Sequence, residues 1–233
     1  MTPLLAPATA RALDAELIEG QGLPGAVLME TAGRGVVAAI ATWWEHTAGV
    51  ERPPGRVVVL AGGGNNGGDG CVIARILHLR GVDVRLLVAA ELDRLTPDTR
   101  LFFDAARAAG VAVDHVGAAF DEPARARLHT ALQGAALVVE ALHGIGPTTA
   151  LRAPLAAWVE GLTTSVRQPI VAVDVPAGID AGSGAPLVPR PLQAALTVCM
   201  IAPKTGLVLG AGRQASGQLV SVDIGVHPRS QRP

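Results

Sequence analysis

Tyrosine is absent from this chain of 233 residues, phenylalanine and tryptophan occur three times each, and aromatics reach only 3%. With a formal net charge of -1 and a pI of about 6.6, the chain offers neither stacking platforms for bases nor a basic footprint for phosphate backbones. Nucleic acid is therefore not an expected partner, and the substrate should be small. Cysteine is scarce as well. Cys71 and Cys199 each sit in an apolar segment without C-x-x-C spacing, so they read as reduced, buried thiols. No apolar run approaches the length of a membrane span, and Met1 to Ala10 has no basic stretch before its apolar residues. The expectation is a cytoplasmic chain with no membrane partner. His46, His78, His115, His129, His143 and His227 lack metal-ligand spacing, and no G-x-S-x-G elbow or Cys/His pair appears. Transition-metal and acyl-transfer chemistry are not expected. Lysine occurs once, as Lys204.

What is present is apolar content: 49% hydrophobic against 17% charged residues, enough to build the core of one domain over residues 1–233. The first forty-odd residues read as two helices, with Thr2 or Thr9 as candidate caps of the first and Pro24 opening the second. In the second, Leu28, Ala32, Val36 and Ile40 recur every four residues as a core stripe, and the small Ala32 and Gly33 invite close approach of another backbone. Thr47 to Gly55 reads as a loop. Strands are expected near Arg56–Ala61, Val84–Val88, Val111–Val116, Ala136–Leu142, Ile170–Val173, Leu196–Ile201 and Leu219–Ile224. Helices are expected near Cys71–Leu79, Arg100–Ala109, Pro123–Leu132 and Pro154–Leu162. Such alternation gives a parallel α/β architecture. Ala181–Arg190 reads as a mobile surface loop, and the tail after Gly225 as frayed.

The densest signal is Gly62-Gly63-Gly64-Asn65-Asn66-Gly67-Gly68-Asp69-Gly70, which follows the apolar strand and precedes the helical pattern Val72, Ile73, Ile76, Leu77. Six glycines in nine residues imply exposed amides at a helix start, a place that favours phosphate. Gly62-x-Gly64-x-x-Gly67 matches the dinucleotide fingerprint, with Glu91 as the nearest candidate for a ribose-binding acid. No lysine follows, which excludes a Walker loop. Asp69 is open to two roles, helix cap or ligand contact. In open parallel sheets ligands sit beyond the carboxyl ends of the strands, so Gly62–Gly70, His143–Ala150 and Asp174–Asp180 should line one crevice. Asp174 ends a very apolar strand and is the strongest catalytic candidate, while Asp180 reads as a turn residue. Glu140 interrupts another apolar strand; since an unpaired buried charge is costly, it should face the crevice and meet a cation, an arginine such as Arg152 or a hydrogen-bond donor, with a structural ion pair as the alternative.

Five blocks, Leu28–Gly33, Gly64–Gly70, Glu140–Gly144, Val173–Gly178 and Ala202-Pro203-Lys204, together resemble the NAD(P)H-hydrate epimerase family, the YjeF N-terminal domain. The resemblance implies a Rossmann-like three-layer α/β/α sandwich with a mostly parallel central sheet, usually dimeric. It implies an isomerase that interconverts the R and S forms of NADH or NADPH hydrated at C6 of the nicotinamide ring. By the same resemblance Asn65, Asn66, Gly67, Gly68 and Asp69, with Gly144, Ile145, Gly146, Pro147, Thr148, Thr149 and Ala150, contact the substrate. Asp174 sits at the reacting ring, and a potassium ion lies near Asn66, Glu140 and Ala177. Many members are fused to a dehydratase, so functional pairing with a separate NAD(P)H-hydrate dehydratase is also implied.

Four positions depart from the family pattern, which typically has Asp at Glu140, Ser at Ala177, Phe at His143 and Asn at Thr31. The extra methylene of Glu140 displaces its carboxylate by about 1.5 Å, one carbon–carbon bond, and Ala177 lacks a hydroxyl, so weakened potassium binding is expected. Two other readings accompany the epimerase: a non-catalytic nucleotide-binding module with a degenerate site, and an NAD-dependent dehydrogenase resting on the glycine fingerprint and Glu91.

Overall fold

A computed structural model describes residues 3–50, 53 and 55–225. Thr2, Pro54, His227 and the tail after Gly225 lie outside the described residues. Seven strands form one sheet: β1 (Arg56–Ala61), β2 (Val84–Val88), β3 (Ala112–His115), β4 (Ala135–Ala141), β5 (Ile170–Val173), β6 (Leu196–Met200) and β7 (Gln218–Val222). Their order is β3-β2-β1-β4-β5-β6-β7, and each of the six pairings is parallel. The near-continuous apolar strands follow from burial on both faces. Val57, Val59 and Ala61 pack into one core with α2 (Gly25–Ala48), α3 (Asn65–Leu79) and α4 (Pro97–Ala108). The alternate residues Val58 and Leu60 pack into the other with α5 (Glu122–Leu132) and α6 (Leu155–Ser165). A three-layer Rossmann-like sandwich results.

The chain winds outward from β1 through β2 and β3, then returns to β4 on the other side of β1. The order therefore reverses between β1 and β4, and a crevice opens beyond their carboxyl ends. Into it project the segments after Ala61, after Ala141 and after Val173. The preceding helix α1 (Pro7–Ala15) runs into a wider π-helical turn over Glu16–Gly20 and borders the same crevice. Its N-cap is Ala6, without a side-chain cap; Thr9 lies inside the helix.

Several local expectations are corrected. Helix α2 continues to Ala48 and ends at Gly49, whose φ of 69° suits a left-handed cap. The segment from Ala181 to Arg190, expected as a surface loop, is partly buried and tied by hydrogen bonds to the residues after β6. Ala181, Leu187 and Val188 are buried, and backbone bonds tie Gly206 N–H to Ala181 O and Gly212 N–H to Gly184 O at 2.8 and 2.9 Å. These partners belong to a 3-10 turn at Thr205–Val208 and to α7 (Gly210–Ala215), two short elements too rich in glycine to register as periodic.

The most consequential correction concerns the glycine block. Helix α3 begins at Asn65 rather than near Cys71, so most of the block is helix and not loop. None of its glycines has a left-handed φ; what they supply is room. A Cβ on Gly62 would lie 2.1 Å from Leu142 O, one on Gly67 1.9 Å from Gly62 O, and one on Gly70 2.9 Å from Ala141 Cβ. Close packing of loop, helix and neighbouring strand explains them. Gly64 alone in the block has nothing within 4 Å of such a Cβ, which leaves its open side to the crevice.

Gly33 plays the same part on α2, where a Cβ would lie 2.4 Å from Val72 Cγ1 of α3. Gly33→Ala should destabilise the protein by about 1–3 kcal/mol through overpacking, measured by urea denaturation. In a Val72→Gly background the same change should cost distinctly less, because both near atoms, Val72 Cγ1 at 2.4 Å and Cβ at 2.6 Å, are then gone.

Candidate functional site

At the end of β5, Asp174 adopts φ 70°, rare for a residue with a side chain. Val175 N–H bonds back to Val173 O at 2.9 Å, closing a three-residue γ-turn centred on the aspartate. The next strand ends the same way. Ile201 has φ 69°, and Ala202 N–H reaches Met200 O at 2.8 Å. Two strained turns thus stand side by side at the ligand edge of the sheet, each costing on the order of 1–3 kcal/mol.

Lys204 joins them. Its ammonium donates to Asp174 Oδ1, in a short ion pair, to Met200 O at 3.0 Å and to Ala202 O at 3.5 Å. All three ammonium protons are used, and the residue is 2% exposed. Met200 N–H also donates to Asp174 Oδ1, at 3.2 Å. One carboxylate oxygen is therefore fixed from two directions, while Oδ2 lies on the side of Gly144, 3.3 Å from where a Cβ there would stand.

A cavity of about 600 Å³ lies in front of this carboxylate. Of the residues predicted from sequence, Gly64, Asn65, Asn66, Asp69, Gly144, Ile145, Gly146, Pro147 and Asp174 line it. The glycine-block helix and Asp174 thus share one crevice. Gly67 and Gly68 are buried in packing contacts instead, and Thr148, Thr149 and Ala150 are exposed beyond the cavity wall. Asp69 is no cap: it sits in the second turn of α3 and faces the cavity. Burial and the neighbouring Asp174 and Asp14 push its pKa well above the ordinary carboxylate range. Asn66 Nδ2 is buried without a partner among the described residues, a donor awaiting an acceptor. Thr96 and Thr99 hold the crevice edge: Thr96 Oγ1 donates to Asn65 Oδ1 at 2.9 Å and Thr99 Oγ1 to Gly64 O at 2.9 Å.

Two side chains escaped sequence reasoning. Lys204 stood out only as the single lysine of the chain, although it sits in one of the five blocks. Asp14, on α1, lines the cavity, and its pKa is raised by burial and then by Asp174, with Lys204 opposing; nothing in the local sequence marks it.

Glu140, predicted to face the crevice and meet a cation, an arginine or a hydrogen-bond donor, does not face the crevice and takes its partners from hydrogen-bond donors. It is fully buried in β4 between Leu60 and Ala172, does not line the cavity, and Arg152 is exposed elsewhere. Its Oε1 accepts Leu142 N–H at 2.7 Å and its Oε2 accepts Ala177 N–H at 3.1 Å. Beside it His143 Nε2 accepts Gly178 N–H at 3.1 Å, with Nδ1 3.1 Å from Gly144 O, so the neutral ring carries its proton on Nδ1. Burial lowers the pKa of His143, in keeping with that form. Ala177 offers no side-chain oxygen, its N–H is spent on Glu140, and its carbonyl accepts Leu192 N–H at 3.0 Å. Glu91, the supposed ribose acid, turns away to accept Ala118 N–H at 3.1 Å and does not line the cavity, which removes the main support for a dehydrogenase. Asp180 is the predicted turn residue, its Oδ1 accepting Gly182 N–H, Ser183 N–H and Ser183 Oγ–H.

A parallel sheet with a crevice at its switch point, floored by a fixed aspartate, defines a Rossmann-like α/β protein. Residues 25–206 match the family model described as YjeF-related protein N-terminus. An NAD(P)H-hydrate epimerase from Levilactobacillus brevis is 31% identical over 231 residues, covering 99% of this chain and 98% of that one. A second, from Rhodopirellula baltica, is 36% identical over 219 residues, 93% of this chain and 82% of that one. A bifunctional NAD(P)H-hydrate repair enzyme from Thermanaerovibrio acidaminovorans is 37% identical over 212 residues, 91% of this chain but 39% of the relative; the chain spans about two fifths of such bifunctional relatives. The crystal structure of the yeast protein ynu0 superimposes with a TM-score of 0.79 at 26% identity, covering 98% of this chain and 91% of that one. The chain belongs to the YjeF-related N-terminal family.

Burial raises the Glu140 pKa from 4.5 to about 7 against the opposing amide bonds. The folded state therefore holds a proton on Glu140 that the unfolded state releases near 4.5, and this contribution to stability, complete below that pH, is lost as pH rises through about 7. Glu140→Gln should flatten the fall of Tm between pH 4.5 and 7.5 relative to the parent, whatever its absolute Tm. Calorimetry across that range checks it; an unchanged slope contradicts the assignment.

Proposed function

We propose that this protein is an NAD(P)H-hydrate epimerase, interconverting the R and S forms of NADH or NADPH hydrated at C6 of the nicotinamide ring. The observation that carries the reading is the fixed carboxylate of Asp174, facing the crevice opposite the start of α3, in a family whose near full-length relatives bear that name. Residues 1–233 act in this reading as one epimerase domain, working as a cytoplasmic homodimer alongside a separate dehydratase.

The chemistry follows from the substrate. C6 of the hydrate carries a hydroxyl beside the ring nitrogen, whose lone pair can expel hydroxide to leave an iminium-like cation, after which water returns to either face. Asp174 provides the proton to the departing hydroxyl, takes it from the returning water, and stabilises the cation between these steps. Its Oδ1 is already committed to Lys204 and Met200, so Oδ2 does this work. Lys204 is a positioning residue: it fixes the carboxylate and never meets the ring. Asp69 faces the same cavity, its pKa raised by burial and by the neighbouring Asp174 and Asp14. Asn66 Nδ2 donates to an oxygen of the bound nucleotide. The pyrophosphate lies against the first amides of α3, which have no intrahelical acceptors, and the Gly144–Gly146 loop. Arg11, held at the rim by its bond to Ile145 O at 3.2 Å, adds a positive charge there. No step in this reading passes through a bound potassium ion.

Asp174→Asn should lower R-to-S conversion by about 10²- to 10⁴-fold, the usual worth of a positioned acid–base group, with binding of NADPH retained. Chiral chromatography of the hydrates and ligand fluorescence measure the two quantities, and full turnover in the variant removes Asp174 as proton carrier. Lys204→Met should reduce kcat and displace its pH profile with little change in KM, since it frees Asp174 without touching substrate. Loss of stability with an unmoved pH profile would mark Lys204 as purely structural.

A further inference from the structure

Three of the four departures from the family pattern, Glu140, His143 and Ala177, fall within one hydrogen-bonded unit. That unit joins the segment after β4 to the segment after β5. Glu140 takes the amides of Leu142 and Ala177, one on each side of the junction. His143 takes the amide of Gly178, which has φ 91°. We infer that this side-chain staple does the mechanical work of the monovalent cation implied by the resemblance, so that the junction is built and held without potassium.

The donor set argues against the ion. A cation needs several oxygens turned toward one point, but both Glu140 oxygens already face amide N–H groups, whose positive ends would oppose a cation placed among them. The Ala177 carbonyl already accepts Leu192 N–H, its side chain has no oxygen, and the buried unpaired group of Asn66 is a donor, Nδ2. The longer reach of Glu140 explains the arrangement. Its carboxylate crosses from the sheet to the next loop directly, and with that span closed a serine hydroxyl at position 177 has no ion to meet. His143 extends the bridge by one more residue. The inference rests on the family assignment and the epimerase reading for its expectation of an ion, and its test needs no turnover.

Thermal unfolding of the native protein in 150 mM potassium, sodium or tetramethylammonium chloride should give midpoints agreeing within about 1 °C, because an ion that does not bind the folded state cannot stabilise it. A potassium-specific rise beyond that overturns the inference. Amide hydrogen exchange gives a second, residue-level measurement: Leu142, Ala177 and Gly178 should be protected in potassium-free buffer, with rates unchanged on adding potassium. Rapid exchange that slows only with potassium overturns it, as does an ordered potassium on the Glu140 carboxylate in a crystal. Normal epimerase activity with none of these responses supports it, and absence of activity with the same responses discredits the epimerase reading alone.

Discussion

The buried contact between Lys204 and Asp174 organises the ligand edge of the sheet. Taking an ammonium and a carboxylate out of water is costly, and the cost is offset only when geometry is good and the remaining protons and lone pairs are satisfied. Here the ammonium spends its other two protons on Met200 O and Ala202 O, and Met200 N–H turns to the same aspartate oxygen. The two acceptors flank Ile201, one strained residue, and the carboxylate belongs to Asp174, the other. Removing the lysine would strand a buried carboxylate and release both turns together. The pair is therefore better understood as the clasp of two strand ends than as an isolated ion pair, and functional sites are where such backbone strain tends to be retained.

The glycine block works from the opposite wall. Because α3 starts at Asn65, the last three amides of the block that suggested an anion cradle are consumed by helix, as in Gly68 N–H to Gly64 O at 3.2 Å. Only the first turn keeps free donors. The glycines instead let α3 sink against Leu142 and Ala141 at the ends of β4, and this seating brings Asn66 and Asp69 into the cavity. Compactness at the switch point, rather than loop flexibility, is what those glycines provide.

Period and parity made the fold legible. β2 and β5 match their expected limits of Val84–Val88 and Ile170–Val173, and the stripe Leu28, Ala32, Val36, Ile40 is buried. What stayed hidden were elements stabilised by tertiary contact alone, such as α7 and the segment over Ala181–Arg190, whose hydrogen bonds join residues some 25 positions apart. The site was legible where an acid ended an apolar strand, as with Asp174. It was not where one residue acts through another: no local pattern shows that Lys204 reaches back 30 positions, or that Asp14 meets the same cavity from α1. Glu140 was recognisable as an acid in need of a partner, though not of which one, since its partners are main-chain amides, which leave no mark in a sequence.

Lys204 and Glu140 act on the two sides of one short segment. From β6, Lys204 and Met200 hold Asp174 by its Oδ1. From β4, Glu140 and His143 hold Ala177 and Gly178 by their amides. The five residues Asp174–Gly178 are thus anchored from both neighbouring strands, and a displacement of Asp174 must break contacts in two directions. A general acid–base group works only within hydrogen-bond reach of its proton, and a misplacement of about 1 Å can cost 10²-fold in rate. Rigidity at Asp174 is therefore part of the chemistry, and it is obtained from opposite kinds of contact. On one side a charge pair is compensated inside the fold; on the other a carboxylate and an imidazole meet only neutral amides. Burial raises the Glu140 pKa to about 7 even though those amides favour its charged form.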